Sequence, residues 1–594
     1  MLNNIIKNKT NLALLVILIV GALIRVWGIN FGLPCTECRP DETTIIQIVL
    51  GFFTGDLNPH FFNYPTLYMY IIFVFYIIYY LVGLLIGQFA SISYFFATYS
   101  VSPSIFYLIS RCLTAFLGTA TIFITYSVSR HLFNKRTALI ASLFLSLTYL
   151  HVRDSHFGVT DVPTAFFLMC AMLFIIKSYE TKDLKNYVLA GIFTGLAVST
   201  KYTAILLVLP MFLVHLLNVL EEKNKKIALF LDKRITIFAG FCVVLFLLTT
   251  PFALFDLSKF ITDISYEMNH FNRGHVMLLG KGWWYHLKFS LFFGLGWSLF
   301  FSSLIGIFVL VKLNIKKFLI LCSFPLAYYV LIGKGNTVFV RYAIPLIPFL
   351  CITASFIIAH ISKRILKFLK PNLNTGATTL IAILITLPSI FNVISFNKLL
   401  TKEDNRLTAR KWVEKNIEEG STIYQSGAWW GMISLHPTVN SLEETLQRIN
   451  TIYETQMGNK KNLEAEINFL KAQIEFFSKH NIRGYAVWGY DHTQKLFTYN
   501  NKKTIELPEY IILQESHLRA YSSISRTIIN LLKSSYNMKK SLKVINVMNK
   551  KNLFDQQDCF FVPFVGFGNI VRPGPNIYIY ERKQKAQVTK LRKS

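Results

Sequence analysis

Acidic residues are scarce in this chain. Asp and Glu number 32 in 594 residues, and charged residues of either sign make up 16%, against about 25% in an ordinary soluble domain. Only 14 of the acids fall in residues 1–400, and none of those lies inside a long apolar run. With 53% hydrophobic residues the chain is not a disordered one. Nor is it a single soluble domain, because apolar runs of about 20 residues, the span of a bilayer, recur from Leu12 to Ile394. Cysteine is sparse as well. Cys112, Cys170, Cys242, Cys322 and Cys351 sit in apolar runs and Cys559 stands alone, which leaves Cys35 and Cys38 as the one close pair.

What is present in excess is positive charge. Lys and Arg number 61, for a net +29, which in a soluble protein would point to nucleic acid. Residues 1–400 contribute +18 and residues 401–594 contribute +11. The first part reads as a polytopic membrane domain and the second as a polar globular one.

Eleven candidate spans follow from the apolar runs: 11–33, 108–130, 137–152, 161–178, 186–200, 202–220, 235–254, 287–311, 317–333, 342–361 and 377–396. The first is too long for a cleaved signal peptide. Basic residues favour cytoplasmic loops, and with Lys7 and Lys9 inside, every second connection is basic. These connections are Arg130 to Arg136, Lys177 to Lys185, Lys223 to Arg234, Lys312 to Lys317 and Lys363 to Lys370. Twenty bases and five acids (Glu180, Asp183, Glu221, Glu222, Asp232) then face the cytoplasm, a net of +15. That charge is dispersed over short loops, which argues against nucleic acid as a partner. The N-terminus is expected to be cytoplasmic and residues 401–594 outside, in an integral protein of a prokaryotic plasma membrane. Residues 65–105 fit the alternation only as zero or two crossings, and are expected to form a shallow or re-entrant hairpin.

Residues 401–581 alternate helical and extended patterns and are expected to fold as an α/β domain. An amphipathic helix around Trp412 ends at Gly420. Strands follow at Ser421–Gln425, Tyr485–Trp488, Tyr510–Leu513 and Asn576–Tyr580, with a helical pattern near 441–480. The basic segment 582–594 reads as a disordered tail.

Candidate chemistry gathers on the outer side. The first outer loop carries Cys35-Thr-Glu-Cys38-Arg39-Pro-Asp41-Glu42. Adjacent carboxylates at the mouth of a span suit proton abstraction, although Asp41 also suits a helix cap. The segment His151 to Pro163 holds His156 and Asp161, and Asp161 alone equally suits the start of a helix. Lys201 lies between two apolar runs and Arg341 opens another. Ionisable groups at span ends are expensive and generally partnered, with a phosphate as one partner and snorkelling to headgroups as the alternative. The 254–288 loop adds Lys259, Arg273, Lys281 and Lys288 beside Trp283, Trp284 and Tyr285. Cations that clamp a phosphate, with acids nearby, suit a lipid-linked phosphate arriving from the bilayer.

Several of these segments resemble the glycosyltransferase family 39, or protein mannosyltransferase-like, enzymes. They are Arg39-Pro-Asp41-Glu42 through Gly55-Asp56 to Tyr64-Pro65, Arg111 to Gly118, Thr160-Asp161-Val-Pro163, Gly195 to Lys201-Tyr202, and Arg341-Tyr342 with Pro345. The match runs in order over residues 10–400. It implies a GT-C membrane fold and sugar transfer from a polyprenyl-phosphate donor to a protein, lipid or glycan acceptor, with inversion and no required cofactor. By the same resemblance Asp41 is the general base, Glu42 and Asp161 orient it or the acceptor, and Lys201 and Arg341 stabilise the donor phosphate, with Lys281 of the 254–288 loop a further candidate for that phosphate. Arg39, Tyr64, His156 and Tyr202 would line the acceptor or sugar pocket. One departure is Arg39, where the family often has His before Pro-Asp-Glu.

Two other classes share parts of this pattern. A transporter has the many spans, but its signature is charge or broken helices near the midplane. A thiol–disulfide oxidoreductase would use Cys35 and Cys38, yet no second outer pair is present to relay electrons. The histidine pairs 151/156 and 270/275 lack a third ligand for a metal.

Overall fold

The computed structural model describes residues 9–221, 232–365, 368, 370–455, 460–499, 502–545 and 551–583. The expected tail from residue 584 onward, and Lys7, Glu222, Lys223, Lys225, Lys226 and Lys367 of the cytoplasmic set, lie outside them. The chain divides into two compact units. One gathers Met1–Ile29, Ile45–Val74 and Ile109–Asn397, and the other gathers Asn30–Thr44, Phe75–Leu108 and Lys398–Ser594.

The first unit is built from apolar helices. Among the described residues, eight helices are long and apolar enough to cross a membrane, or nine with one bent pair. Seven fall on expected spans, from Lys9–Val26 to the helix that begins at Leu373. The expected spans 137–152, 186–200 and 235–254 appear as the shorter helices Lys135–Leu147, Leu184–Val198 and Lys233–Thr249. An apolar run alone does not say where a helix starts or stops. Lys233–Thr249 starts two residues before the expected span, at the cap Asp232, which accepts from the Arg234 N–H, and it ends five residues before the expected end. The expected span 287–311 is broken into Gly282–Leu295 and Trp297–Leu313, bent by 114°. The break falls on Gly296, whose φ of +82° is costly for any other residue.

Residues 65–105 differ from the expected hairpin. Leu67–Leu85 is by itself of spanning length. The short helix Ile92–Val101 follows, capped by Ser91, which accepts from the Tyr94 N–H. Its apolar side is taken up within the second unit, where Val101 joins the core of a helical pair, Val439–Thr455 and Lys460–His480. Tyr94 also lies 5.7 Å from Phe476, ring to ring.

Small residues set the helix spacing in the first unit. Gly191 and Gly195 lie one turn apart on Leu184–Val198 and face Lys233–Thr249. A Cβ at these positions would stand 2.5 Å from the Phe238 carbonyl oxygen and 2.6 Å from that of Cys242. Close backbone approach of this kind supplies much of the attraction between helices in lipid.

The second unit holds an eight-stranded sheet: β1 Thr422–Ser426, β2 His436–Pro437, β3 Gly484–Asp491, β4 Leu496–Tyr499, β5 Lys502–Thr504, β6 Tyr510–Glu515, β7 Tyr536–Leu542 and β8 Asn576–Arg582. The order is β5-β4-β3-β1-β6-β8-β7, with β2 beside β3. β1 is parallel to both β3 and β6, while β8 is antiparallel to β6 and β7. Successive side chains point to opposite faces of a strand. Ile423, Ile512, Ile577 and Ile579 accordingly pack with Ala409 and Val413 of helix Asn405–Asn416. On the other face, Tyr424, Ile511 and Leu513 pack with Ile528 and Leu532 of helix Arg526–Ser535.

Gly195→Val should therefore destabilise the protein by about 1–3 kcal/mol through overpacking, read as a lower thermal midpoint of the detergent-solubilised chain. Gly240→Ala, where an added Cβ meets nothing within 4 Å, should leave that midpoint unchanged or raised.

Candidate active site

In the first unit the chain reverses after the short helix Tyr149–Asp154, and a new helix starts at Asp161. Pro163 in its first turn costs no intrahelical hydrogen bond. Helix Leu184–Val198 ends at Ser199, and Lys201 stands extended before the 3-10 turn Tyr202–Leu207. A second 3-10 turn, Val340–Leu346, carries Arg341. These three interruptions bring their ionisable side chains together. Lys201 Nζ lies 2.5 Å from Asp161 Oδ1, and Arg341 Nε lies 3.9 Å from Asp161 Oδ2.

Aromatic rings back both cations. Lys201 Nζ is 4.9 Å from the Tyr342 ring centre, and the Arg341 guanidinium is 4.4 Å from that of Phe339. The three ionisable groups sum to +1, with Asp161 and Arg341 buried. A carboxylate shared by two cations leaves a local positive excess in a poorly solvated place, which suits an anion.

The remaining candidates of this unit take other positions. Tyr202 donates its hydroxyl to the Phe62 carbonyl at 3.0 Å and packs its ring 5.9 Å from Phe260. Tyr64 packs against Phe61, with ring centres 5.8 Å apart. His156 is buried, with Nδ1 2.9 Å from the Val152 carbonyl oxygen and Nε2 3.1 Å from that of Trp27. Lys281 is exposed and donates to the Lys334 carbonyl at 3.1 Å. His270 and His275 hydrogen-bond to one another at 2.8 Å. Among the described residues no group of three or more His, Cys, Asp or Glu side chains is placed to hold a metal ion.

In the second unit Pro40 opens the helix Pro40–Gly51, which puts Asp41 and Glu42 in its first turn, where negative charge is favoured. Glu42 is buried and Asp41 half-buried. Just before them the buried Arg39 hydrogen-bonds through Nη1 to Asp558 Oδ1, while its Nη2 lies 4.0 Å from Asp41 Oδ2. A second buried pair stands beside the first. Arg406 Nε and Nη2 donate to the two oxygens of Asp404, each at 2.9 Å. Arg406 also donates to the carbonyls of Glu37 and Trp430 and lies 3.0 Å from Cys38 Sγ.

Cys35 and Cys38 are free thiols, each 2% exposed. Burial pushes the Cys38 thiol well up, and the hydrogen bond that Cys38 makes to Cys35 holds Cys35 down. A thiol–disulfide catalyst needs an accessible thiolate, and neither sulfur is accessible here. Burial also raises the Glu37 carboxyl.

Sequence reasoning overlooked Asp558, Asp404 and Arg406. The available signal was an acid set against an apolar run, Asp558-Cys-Phe-Phe-Val-Pro-Phe-Val565.

Residues 108–247, which include Asp161 and Lys201, match the dolichyl-phosphate-mannose-protein mannosyltransferase family. No curated protein sequence matches the chain. Among solved structures, ArnT from Cupriavidus metallidurans bound to undecaprenyl phosphate is similar at a TM-score of 0.51 and 12% identity, over 95% of this chain and 97% of that one. The oligosaccharyltransferase of Archaeoglobus fulgidus gives 0.47 and 12% over 96% and 88%. The Pmt1-Pmt2 complex of S. cerevisiae bound to the sugar donor gives 0.31 and 18% over 43% and 34%. Of these likenesses, the one to ArnT carries the fold.

Replacing Cys35 and Cys38 together by Ser should leave any transferase activity largely intact. It should cost about 1 kcal/mol of stability through the weakened contact with Arg406, measured by thermal unfolding beside an activity assay. Loss of activity in a folded double variant would count against a purely structural thiol pair. The chain thus shares the fold of ArnT, and its residues 108–247 match the dolichyl-phosphate-mannose-protein mannosyltransferase family.

Proposed function

We propose that this protein is a membrane glycosyltransferase that moves a sugar from a polyprenyl-phosphate donor to an acceptor hydroxyl on the extracytoplasmic face. The observation that carries the proposal is the Lys201–Asp161–Arg341 group, two cations around one carboxylate, with Asp161 and Lys201 in the family-matched segment. ArnT, whose fold this chain shares, binds undecaprenyl phosphate, and a lipid phosphate is the anion that such a group suits.

The chemistry needs one base and one place for departing charge. Asp41 takes the proton of the acceptor hydroxyl. The hydroxyl oxygen attacks the anomeric carbon, the bond from that carbon to the phosphate oxygen breaks with inversion, and polyprenyl phosphate leaves with the electron pair. Phosphate is a good leaving group, so no strong general acid is required. Lys201 and Arg341 stabilise its added charge. The acidic first turn that holds Asp41 supports the base assignment, as does the resemblance of Arg39-Pro-Asp41-Glu42 to the family's first loop. The +15 of the cytoplasmic loops supports an outer site.

The 114° break between Gly282–Leu295 and Trp297–Leu313 is a feature that favours a transporter instead. The two readings part in detergent, where a transferase still forms product and a transporter has no sides to move between.

Purified protein should release polyprenyl phosphate from a polyprenyl-phosphate sugar in the presence of acceptor. Asp41→Asn should abolish release while the protein stays folded. Lys201→Gln and Arg341→Gln should each lower kcat by about 10²–10³-fold, the scale of losing one donor to developing charge. Near-normal rates in Asp41→Asn would remove the base assignment, and unchanged rates in both cation variants would remove the phosphate assignment.

A further inference from the structure

We propose that Asp558 is a positioning residue for the base: it holds the Arg39 guanidinium and so keeps Arg39 from closing on Asp41. This inference rests on Asp41 being the general base. Arg39 is 1% exposed, and an arginine side chain stays charged, so its charge is costly unless counter-charge or dipoles lie close by. Asp558 and Asp41 both stand beside it. Asp558, 4% exposed, is in direct hydrogen-bond contact through Oδ1 with Nη1. Asp41, 31% exposed, reaches only 4.0 Å from Nη2. The two acids compete for one cation, and the more deeply buried one holds it.

The turn that carries Asp558 is fixed on several sides. The Asp558 N–H donates to the Asp555 carbonyl at 3.2 Å, and the Phe560 N–H donates to the Asp558 carbonyl at 2.7 Å. The Tyr521 hydroxyl donates to the Gln557 carbonyl at 2.6 Å. Phe560 lies 5.8 Å from the guanidinium and packs edge-on against Phe31. Arg39 is anchored in turn by its own backbone, whose carbonyl accepts from the Glu42 N–H at 3.0 Å. Both side chains of the pair are therefore held in place before any substrate arrives.

The consequence concerns basicity. An arginine that forms a two-pronged bond with a carboxylate occupies its lone pairs, and a cation within about 4–6 Å makes a carboxylate a weaker base. With Asp558 in contact, the Arg39–Asp558 pair is neutral as a unit, and Asp41 keeps a face toward solvent. Without the Asp558 charge, Asp41 stands 4.0 Å from a guanidinium that has lost the carboxylate in contact with it. The residue that protects the base thus comes from the segment between β7 and β8, 519 positions along the chain from Arg39.

The test uses the full-length protein in detergent and compares wild type with Asp558→Asn, Asp558→Glu and the double variant Arg39→Gln with Asp558→Asn. Carbodiimide labelling of Asp41, followed by mass spectrometry across pH, reports on that carboxylate with no substrate present. Asp558→Asn should label Asp41 several-fold less than wild type. Asp558→Glu, which restores the charge, and the double variant, which removes the cation too, should both recover labelling.

In the release assay with a polyprenyl-phosphate mannose donor, Asp558→Asn should lower kcat by about 10-fold or more with little change in KM. The acid limb of its pH–rate profile should move to lower pH by about one unit. A merely structural role would reduce folded yield without moving the limb. Unchanged Asp41 labelling in Asp558→Asn, or failure of the double variant to recover it, would overturn the inference. Full activity in Asp41→Asn would instead remove the base assignment on which the inference stands, whatever the labelling gives.

Discussion

A charge taken out of water needs its counter-charge within a few ångströms. Most of the polar architecture of this protein follows from that constraint. At 4 Å the attraction between unit charges is about 4 kcal/mol for the intermediate dielectric near a protein surface, against about 1 kcal/mol in water. The idealised loss of hydration is larger still. Deep pairs are accordingly close ones: Arg153 with Asp154 at 2.9 Å in the first unit, and Arg406 with Asp404 and Arg39 with Asp558 in the second. Arg25 meets the same need with dipoles, donating to the carbonyls of Gly21, Ser146 and Leu145. These contacts fix backbone turns as much as they satisfy charges. Arg406 holds the Trp430 carbonyl, and Trp430 is in a left-handed conformation, φ +60°, that a bulky residue adopts only when its surroundings impose it.

The same constraint explains what was legible in the sequence. Apolar runs are local, so seven of the eleven expected spans correspond to spanning helices. The strands at 422–426, 484–491, 510–515 and 576–582 were visible as well, because each carries a short run rich in β-branched or aromatic residues. Helix ends were less legible, since they depend on single caps such as Asp232. β2, β4, β5 and β7 were missed. β5 is three residues long and β7 carries mostly exposed side chains, so neither leaves an apolar alternation to read.

Among candidate site residues, those inside family-like segments could be named. The geometry that joins Asp161, Lys201 and Arg341 could not, because it is made by three separate helix interruptions. Asp558 was beyond reach for a related reason. A pairing across more than five hundred residues leaves no periodicity, and the only local trace is an acid set against Phe560 and Phe561.

The charge arithmetic of the Lys201–Asp161–Arg341 group bears on how such a site would favour transfer over mere binding. A polyprenyl-phosphate sugar is a phosphodiester with one negative charge, and as the sugar departs the phosphate gains up to one more. A site with two unshared cations would already hold the donor tightly, and tight ground-state binding does not lower the barrier. Here Asp161 takes part of the Lys201 charge while the donor waits. On the proposed function, charge growing on the phosphate oxygens would draw the lysine from Asp161 toward them, so that its interaction would strengthen along the reaction instead of being spent at the start. Arg341, set over the Phe339 ring, is farther from Asp161 than Lys201 is, and so is the less committed of the two cations to that carboxylate. On the proposed function, the carboxylate that opposes anion binding is what lets the two cations discriminate between the bound donor and the departing phosphate.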